Sequence, residues 1–127
     1  MMNARAFAVY QESQREATVD QATPLDLVIL TYERVIHHCD RAAEDFQHGQ
    51  DSEEAVTSAL NLISDGLQSC LDFARGGDVA KNLGVLYEWA AAELVRSRIK
   101  RDATGVIAVR SALLELLDGW RTLRSAS

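Results

Sequence analysis

The residues of this chain best equipped for chemistry are its three histidines and two cysteines. His37, His38 and Cys39 are consecutive, with Glu33 one helical turn before them. Imidazole and thiolate groups bind zinc and related ions, and helical bundles hold di-iron centres between Glu-x-x-His pairs on facing helices. The spacing here serves neither. Consecutive helical residues project about 100° apart, so His37, His38 and Cys39 cannot close around one ion. No Glu-x-x-His occurs, and Glu33 with His37 makes a surface pair rather than a cage. Gly76-Gly77-Asp78 reads as the start of a helix, where free backbone N–H groups attract anions. The Asp78 carboxylate would repel such a guest, and neither common Gly-rich phosphate loop is present. Spacing alone leaves a Ser–His–acid triad open, since such groups meet in space rather than in sequence. The chain has no nucleophile elbow and few loops to carry a site. No metal, no cofactor and no enzymatic activity is expected.

The elements around these residues read as helices throughout. Apolar positions recur at helical intervals, and no window alternates long enough for a sheet. The first long helix starts at Thr23-Pro24: Thr23 is a good N-cap, Pro24 suits the first helical position, and Asp26 puts an acid in the first turn. Val28, Tyr32, Val35, Ile36, Cys39, Ala42, Ala43 and Phe46 form its core face, and Gly49 stops it. Leu27, Ile29 and Leu30 fall off that face, so its first turns are apolar nearly all round and require a cover. The second helix begins at Asp51 or Ser52 in a capping-box-like sequence. Its core face runs from Val56 through Ala59, Leu60, Ile63, Leu67, Cys70 and Leu71 to Ala74. Leu62, Gly66, Ser69 and Phe73 share another face. That stripe is either a shallow trough for a further helix or a place where two bundle helices approach closely.

The third helix opens at Gly76-Gly77 with Asp78 as N-cap and turns Val79, Leu83, Leu86, Tyr87, Ala90 and Leu94 to the core. Val85, Trp89 and Ala92 lie about 100° around from that face. One core face rarely needs a second apolar stripe carrying a Trp, so a neighbouring element or a partner must cover it. The fourth helix runs from about Asp102 to Leu123, with Val106, Val109, Leu113, Leu116, Leu117 and Trp120 inward and Gly105 weakening its first turns. Four amphipathic helices with short connections pack most simply as an antiparallel four-helix bundle, an all-α fold. Residues 1–22 are read as an N-terminal cap segment and linker docked on the bundle through Phe7, Val9 and Tyr10, and residues 23–124 as the bundle itself.

The length of 127 residues suits one domain. A net charge of −6 argues against a nucleic-acid partner. The acids concentrate in the first two helices, and Arg96, Arg98, Lys100 and Arg101 form the one basic cluster. Those cations either complement a helix C-terminus or meet an acidic partner segment. Two cysteines on apolar helix faces, without a secretory leader, fit a reducing cytosol better than a disulfide scaffold. No apolar run approaches the roughly 20 residues needed to span a bilayer.

An ordered set of residues resembles the flagellar secretion chaperone family over nearly the whole chain. Tyr10-Gln11 is similar to its N-terminal tyrosine segment, and Thr23-Pro24, Leu27-Val28, Leu30 and Tyr32-Glu33 to its first-helix signature. Leu62 to Leu67, then Leu71-Asp72, resembles its second helix. Gly76-Gly77-Asp78-Val79-Ala80-x-Asn82-Leu83-x-x-Leu86-Tyr87-x-Trp89 is the most specific piece. Asp102, Leu113-Leu114, Leu116 and Trp120 follow at matching intervals. Ser97-Arg98 departs from an Ala-Asn pair usual in the family.

The resemblance implies a cytosolic export chaperone that binds the disordered C-terminal region of flagellin and keeps it from polymerising before secretion. It further implies that Phe7 and Tyr10 dock near Leu27 and Leu30 and yield to the client. The expected partner-binding residues are these four with Leu62, Gly66, Phe73, Asn82, Val85, Trp89 and Ala92. A flagellar export-apparatus component or an anti-sigma factor is a further candidate partner. The competing expectation is a helical adaptor that homodimerises through the Val85/Trp89 stripe.

Overall fold

The computed structural model of the chain describes residues 22–126. Helix α1 (Pro24–Gln47) begins where the sequence predicts. The Asp26 N–H donates to the Thr23 hydroxyl at 3.1 Å, and the Thr23 N–H donates to Asp26 Oδ2 at 3.0 Å. This reciprocal box satisfies donors that a helix end leaves open. The bonds from Thr23 also hold the Asp26 carboxyl below its ordinary pKa. Gly49 follows the far end at φ +72°, a left-handed turn that glycine takes without a Cβ clash.

Helix α2 (Glu53–Asn61) departs from expectation at both ends. Its capping box does not form. The Ser52 hydroxyl donates instead to Asp45 Oδ2 at 2.7 Å and ties the loop back to α1. The helix widens into a π-helical stretch over Leu62–Leu67, tightens into a 3-10 turn over Gln68–Cys70, and leaves helical geometry at Leu71. Each change of hydrogen-bond pattern re-phases the side chains that follow. Leu62 and Phe73 therefore do not lie on one stripe, and Ala74 is exposed rather than in the core.

Helix α3 (Phe73–Lys100) starts before the glycine pair. Asp72 caps a short first turn ahead of that pair, its carboxylate accepting from the Arg75 N–H at 3.0 Å. One turn on, Gly77 breaks the helix at φ 51° and ψ −127°, backbone that disfavours any side chain. Past this kink Val79, expected in the core, stands exposed, while Ala80 and Gly84 are buried. Helix α4 (Thr104–Ala126) continues beyond the expected stop at Leu123. Asp102 accepts from the Thr104 N–H at 2.8 Å at its start.

Ion pairs show how the helices run. Arg110 with Asp40, Arg121 with Glu33 and Arg124 with Asp26 join α4 to α1, one number rising as the other falls. Arg98 near the end of α3 meets Asp51 and Glu53 at the start of α2. The Ser97 hydroxyl on α3 accepts from the Val106 N–H on α4 at 3.0 Å. Each helix is thus antiparallel to its neighbours in the order α1–α2–α3–α4, the bundle the sequence predicts. Exposed pairs of this kind contribute roughly 0–1 kcal/mol each, so they mark the register more than they hold it.

What holds it is the interior. Tyr32, Val35 and Cys39 from α1 meet Val56 and Ile63, Tyr87 and Leu94 from α3, and Val106, Val109 and Leu113 from α4. Both cysteines are free, and burial pushes the Cys39 thiol up to about 12. Tyr32 and Tyr87 cross the bundle diagonal, with hydroxyls 2.6 Å apart and rings edge to face. Ile29 and Thr31 are also buried, off the predicted stripe. The Thr31 hydroxyl donates to the Leu27 carbonyl at 2.7 Å, so its burial leaves no hydroxyl unsatisfied.

Gly105 reads in sequence as a weak spot, and the fold gives it a purpose. A Cβ here would sit 2.6 Å from the Glu93 carbonyl oxygen and press on the Ser97 hydroxyl. The α3–α4 corner closes because position 105 is bare. Gly105→Ala is expected to cost about 1–3 kcal/mol by overpacking, read as a lower urea midpoint with an unchanged slope. A midpoint equal to the parent's would show that the corner is looser than this.

Candidate partner-binding face

The outer face of α3 carries apolar residues that the other described helices do not cover. Val85 is 64% exposed, Trp89 38% and Ile99 78%, and Ala92 is exposed with them. The cause is helical phase. The bundle holds α3 through Tyr87, Ala90 and Leu94, which fixes the opposite side toward solvent. At about 100° per residue, Val85, Ala92 and Ile99 lie within about 40° of one line, and Trp89 leans from it toward α4. Ile99 escaped the sequence reading, although a seven-residue step from Val85 through Ala92 reaches it.

Beside this line lies a groove of about 400 Å³ between α3 and α4. Val79, Leu83 and Leu86 form one wall, and Ala112 and Leu116 the other. Ala112 is small, which gives the groove its depth. Asn82 on one side and Glu115 on the other are its polar groups. An exposed carboxamide there can both donate to and accept from the backbone of an extended or helical guest.

The remaining expected residues fall in different places. Phe73 is 60% exposed and lies against Gly84, where a Cβ would be 3.8 Å from its ring. Leu62 and Gly66 are buried and offer no surface. Leu27 and Leu30 are half-buried on the first turns of α1. Phe7 and Tyr10 lie outside the described residues. Asn82, Val85, Trp89 and Ala92 come together on α3.

The polar residues with chemical potential gather elsewhere, in a crevice of about 380 Å³ between α1 and α2 that includes His37, His38, Asp45 and Glu54. Among the described residues no group of three His, Cys, Asp or Glu side chains is placed to hold a metal ion. Burial, then the charges of His37 and Arg34, hold the His38 pKa below its ordinary 6.5. Protonation is therefore easier in the unfolded chain than in the folded one. The stability this confers is complete above the unfolded pKa and is lost as pH falls below it. His38→Gln is expected to flatten the decline in melting temperature between about pH 7 and 5. An unaltered pH profile would remove His38 from the account.

The family profile described as flagellar protein FliS matches residues 6–127. The chain belongs to the FliS family. The flagellar secretion chaperone FliSB of Pseudomonas aeruginosa is 32% identical over 122 residues, covering 94% of this chain and 96% of that protein. The flagellar secretion chaperone FliS of Salmonella typhimurium is 26% identical over 125 residues, covering 97% and 93%. That of Escherichia coli is 24% identical over 123 residues, covering 95% and 90%. These relatives are named as chaperones. No described helix is long and apolar enough to cross a membrane. Within this FliS chain Ser97-Arg98 has clear work: Ser97 accepts from the start of α4, and Arg98 binds the acids that open α2.

Proposed function

We propose that this FliS-family chain is a cytosolic export chaperone that binds the disordered C-terminal region of flagellin, keeps it monomeric and delivers it for secretion. The observation that carries this reading is the uncovered apolar face of α3 with the groove beside it. A disordered client loses chain entropy when it orders, so it needs a broad apolar surface to gain net affinity. Helices laid in grooves meet that need through anchors spaced on one face. Val85, Trp89 and Ala92 supply such spacing on the chaperone side, with Asn82 as a polar reader and Phe73 at the rim. An export-apparatus component or an anti-sigma factor would engage other surfaces.

Co-purification tests this. Full-length flagellin from the same organism should be retained by the tagged chaperone, and flagellin lacking its C-terminal region should not. Equal retention of both would overturn the reading. A tight dimer in solution that hides Trp89 would instead favour a homodimeric adaptor.

A further inference from the structure

The apolar residues of α3 have a place in the proposed function, and the basic end of the same helix does not. Arg96, Arg98, Lys100 and Arg101 gather there on a chain of net charge −6. Two are engaged within the fold, Arg96 by Glu93 and Arg98 by Asp51 and Glu53. Lys100 and Arg101 are exposed and make no ion pair among the described residues. The Lys100 charge is felt at Asp102, where it adds to the stronger hydrogen bonds from Thr104 that hold that carboxyl low.

Cations at a helix C-terminus complement its dipole, which accounts for a residue such as Lys100. It favours the charge of Arg101 as well, but not the backbone conformation in which that arginine is held. Arg101 closes α3 in left-handed backbone, φ 50° and ψ 49°, the one non-glycine residue with positive φ among those described. That conformation is strained for a residue with a Cβ, and glycine takes it freely. An arginine stands in a glycine's position, with its charge directed to solvent. Beside it, Ile99 ends the apolar line that begins at Val85. At 1.5 Å per residue that line is about 21 Å long, four helical turns.

We propose that a partner's amphipathic helix lies along Val85–Ile99 with an acidic end seated on Lys100 and Arg101. This rests on the client-binding reading and adds the chemistry of the segment bound and the place of its acidic end. The apolar line supplies contact area, and the cations fix orientation. Reversed, the same helix would set its acids near Asp78 and Glu88, which outnumber Lys81 at the other end of the face. Like charges brought together at an interface disfavour that placement.

The probes are labelled synthetic helical peptides of about 16 residues, long enough to match the line. All share one apolar face. Two carry a glutamate cluster at the N-terminus or the C-terminus, and two carry lysines there instead. At low salt one glutamate-ended peptide should bind about tenfold tighter than its lysine counterpart, a preference that shrinks as salt screens it. Lys100→Glu and Arg101→Gly should each reduce the preference, and Arg101→Gly should melt no lower than the parent, because glycine relieves the strained turn. Equal binding of glutamate- and lysine-ended peptides, or an unchanged preference in both variants, would overturn the proposal. If flagellin binds but no peptide does, the α3 line is not the seat and the chaperone reading stands. If a glutamate-ended peptide binds but flagellin does not, the client reading fails and the acidic-helix site stands.

Discussion

Trp89→Asp is expected to weaken binding of a flagellin C-terminal peptide by roughly 30-fold or more while leaving the bundle folded. The size follows from what the indole does. A Trp at the centre of an apolar contact typically accounts for at least ~2 kcal/mol on truncation, and 1.4 kcal/mol is tenfold in affinity. Aspartate also carries a charge into a surface that the client must desolvate. The fold is spared because Trp89, 38% exposed, stands outside the buried core that Tyr87, Ala90 and Leu94 build on α3, so its replacement opens no core cavity. Fluorescence anisotropy with the peptide, paired with a thermal melt, measures both. Unchanged affinity would place Trp89 outside the binding face, and a collapse of the melt would make it part of what holds the bundle.

Tyr32→Ala should have the largest effect on stability, a loss of about 3–5 kcal/mol. Tyr32 is fully buried, with Tyr87 and Trp120 rings set edge to face against it at 6.3 and 6.2 Å. Truncation leaves a cavity where α1, α3 and α4 converge and removes the Tyr87 hydroxyl's 2.6 Å partner. Domains are stable by only about 5–15 kcal/mol, so much of the margin goes. Tyr32→Phe keeps the ring and loses the bond, and should cost about 1–3 kcal/mol. Urea denaturation of the two variants separates packing from hydrogen bonding. Equal losses would mean that the hydroxyl pair, rather than the ring, dominates.

The sequence made the bundle legible wherever a cap and a regular stripe agreed. Thr23-Pro24-x-Asp26 fixed the start of α1, Gly49 its stop, and the apolar periods fixed four helices and most of their inward faces. It misled where hydrogen-bond geometry changed within a helix. The π-helical stretch at Leu62–Leu67 leaves no mark in apolar spacing, so Leu62 and Phe73 looked like neighbours on one stripe. The short turn that Asp72 caps ahead of the kink at Gly77 is likewise unmarked by apolar spacing. Of the binding face, the Val85–Trp89–Ala92 line was readable because it is apolar where one core face is already satisfied. The α3–α4 groove was not, because its far wall at Ala112 and Leu116 exists only once two helices are side by side. Ser97-Arg98 gave no hint of its two separate bonds for the same reason.

The most direct measurement is the solvent accessibility of Trp89 with and without client. In a Trp120→Phe background, which keeps an aromatic ring against Tyr32, Trp89 is the remaining tryptophan. Acrylamide should quench its fluorescence readily in the free protein. Saturation with the C-terminal region of flagellin should shield it, and flagellin without that region should not. Quenching that stays the same after the complex has formed would show that the client rests elsewhere and that the bare face of α3 is not its seat.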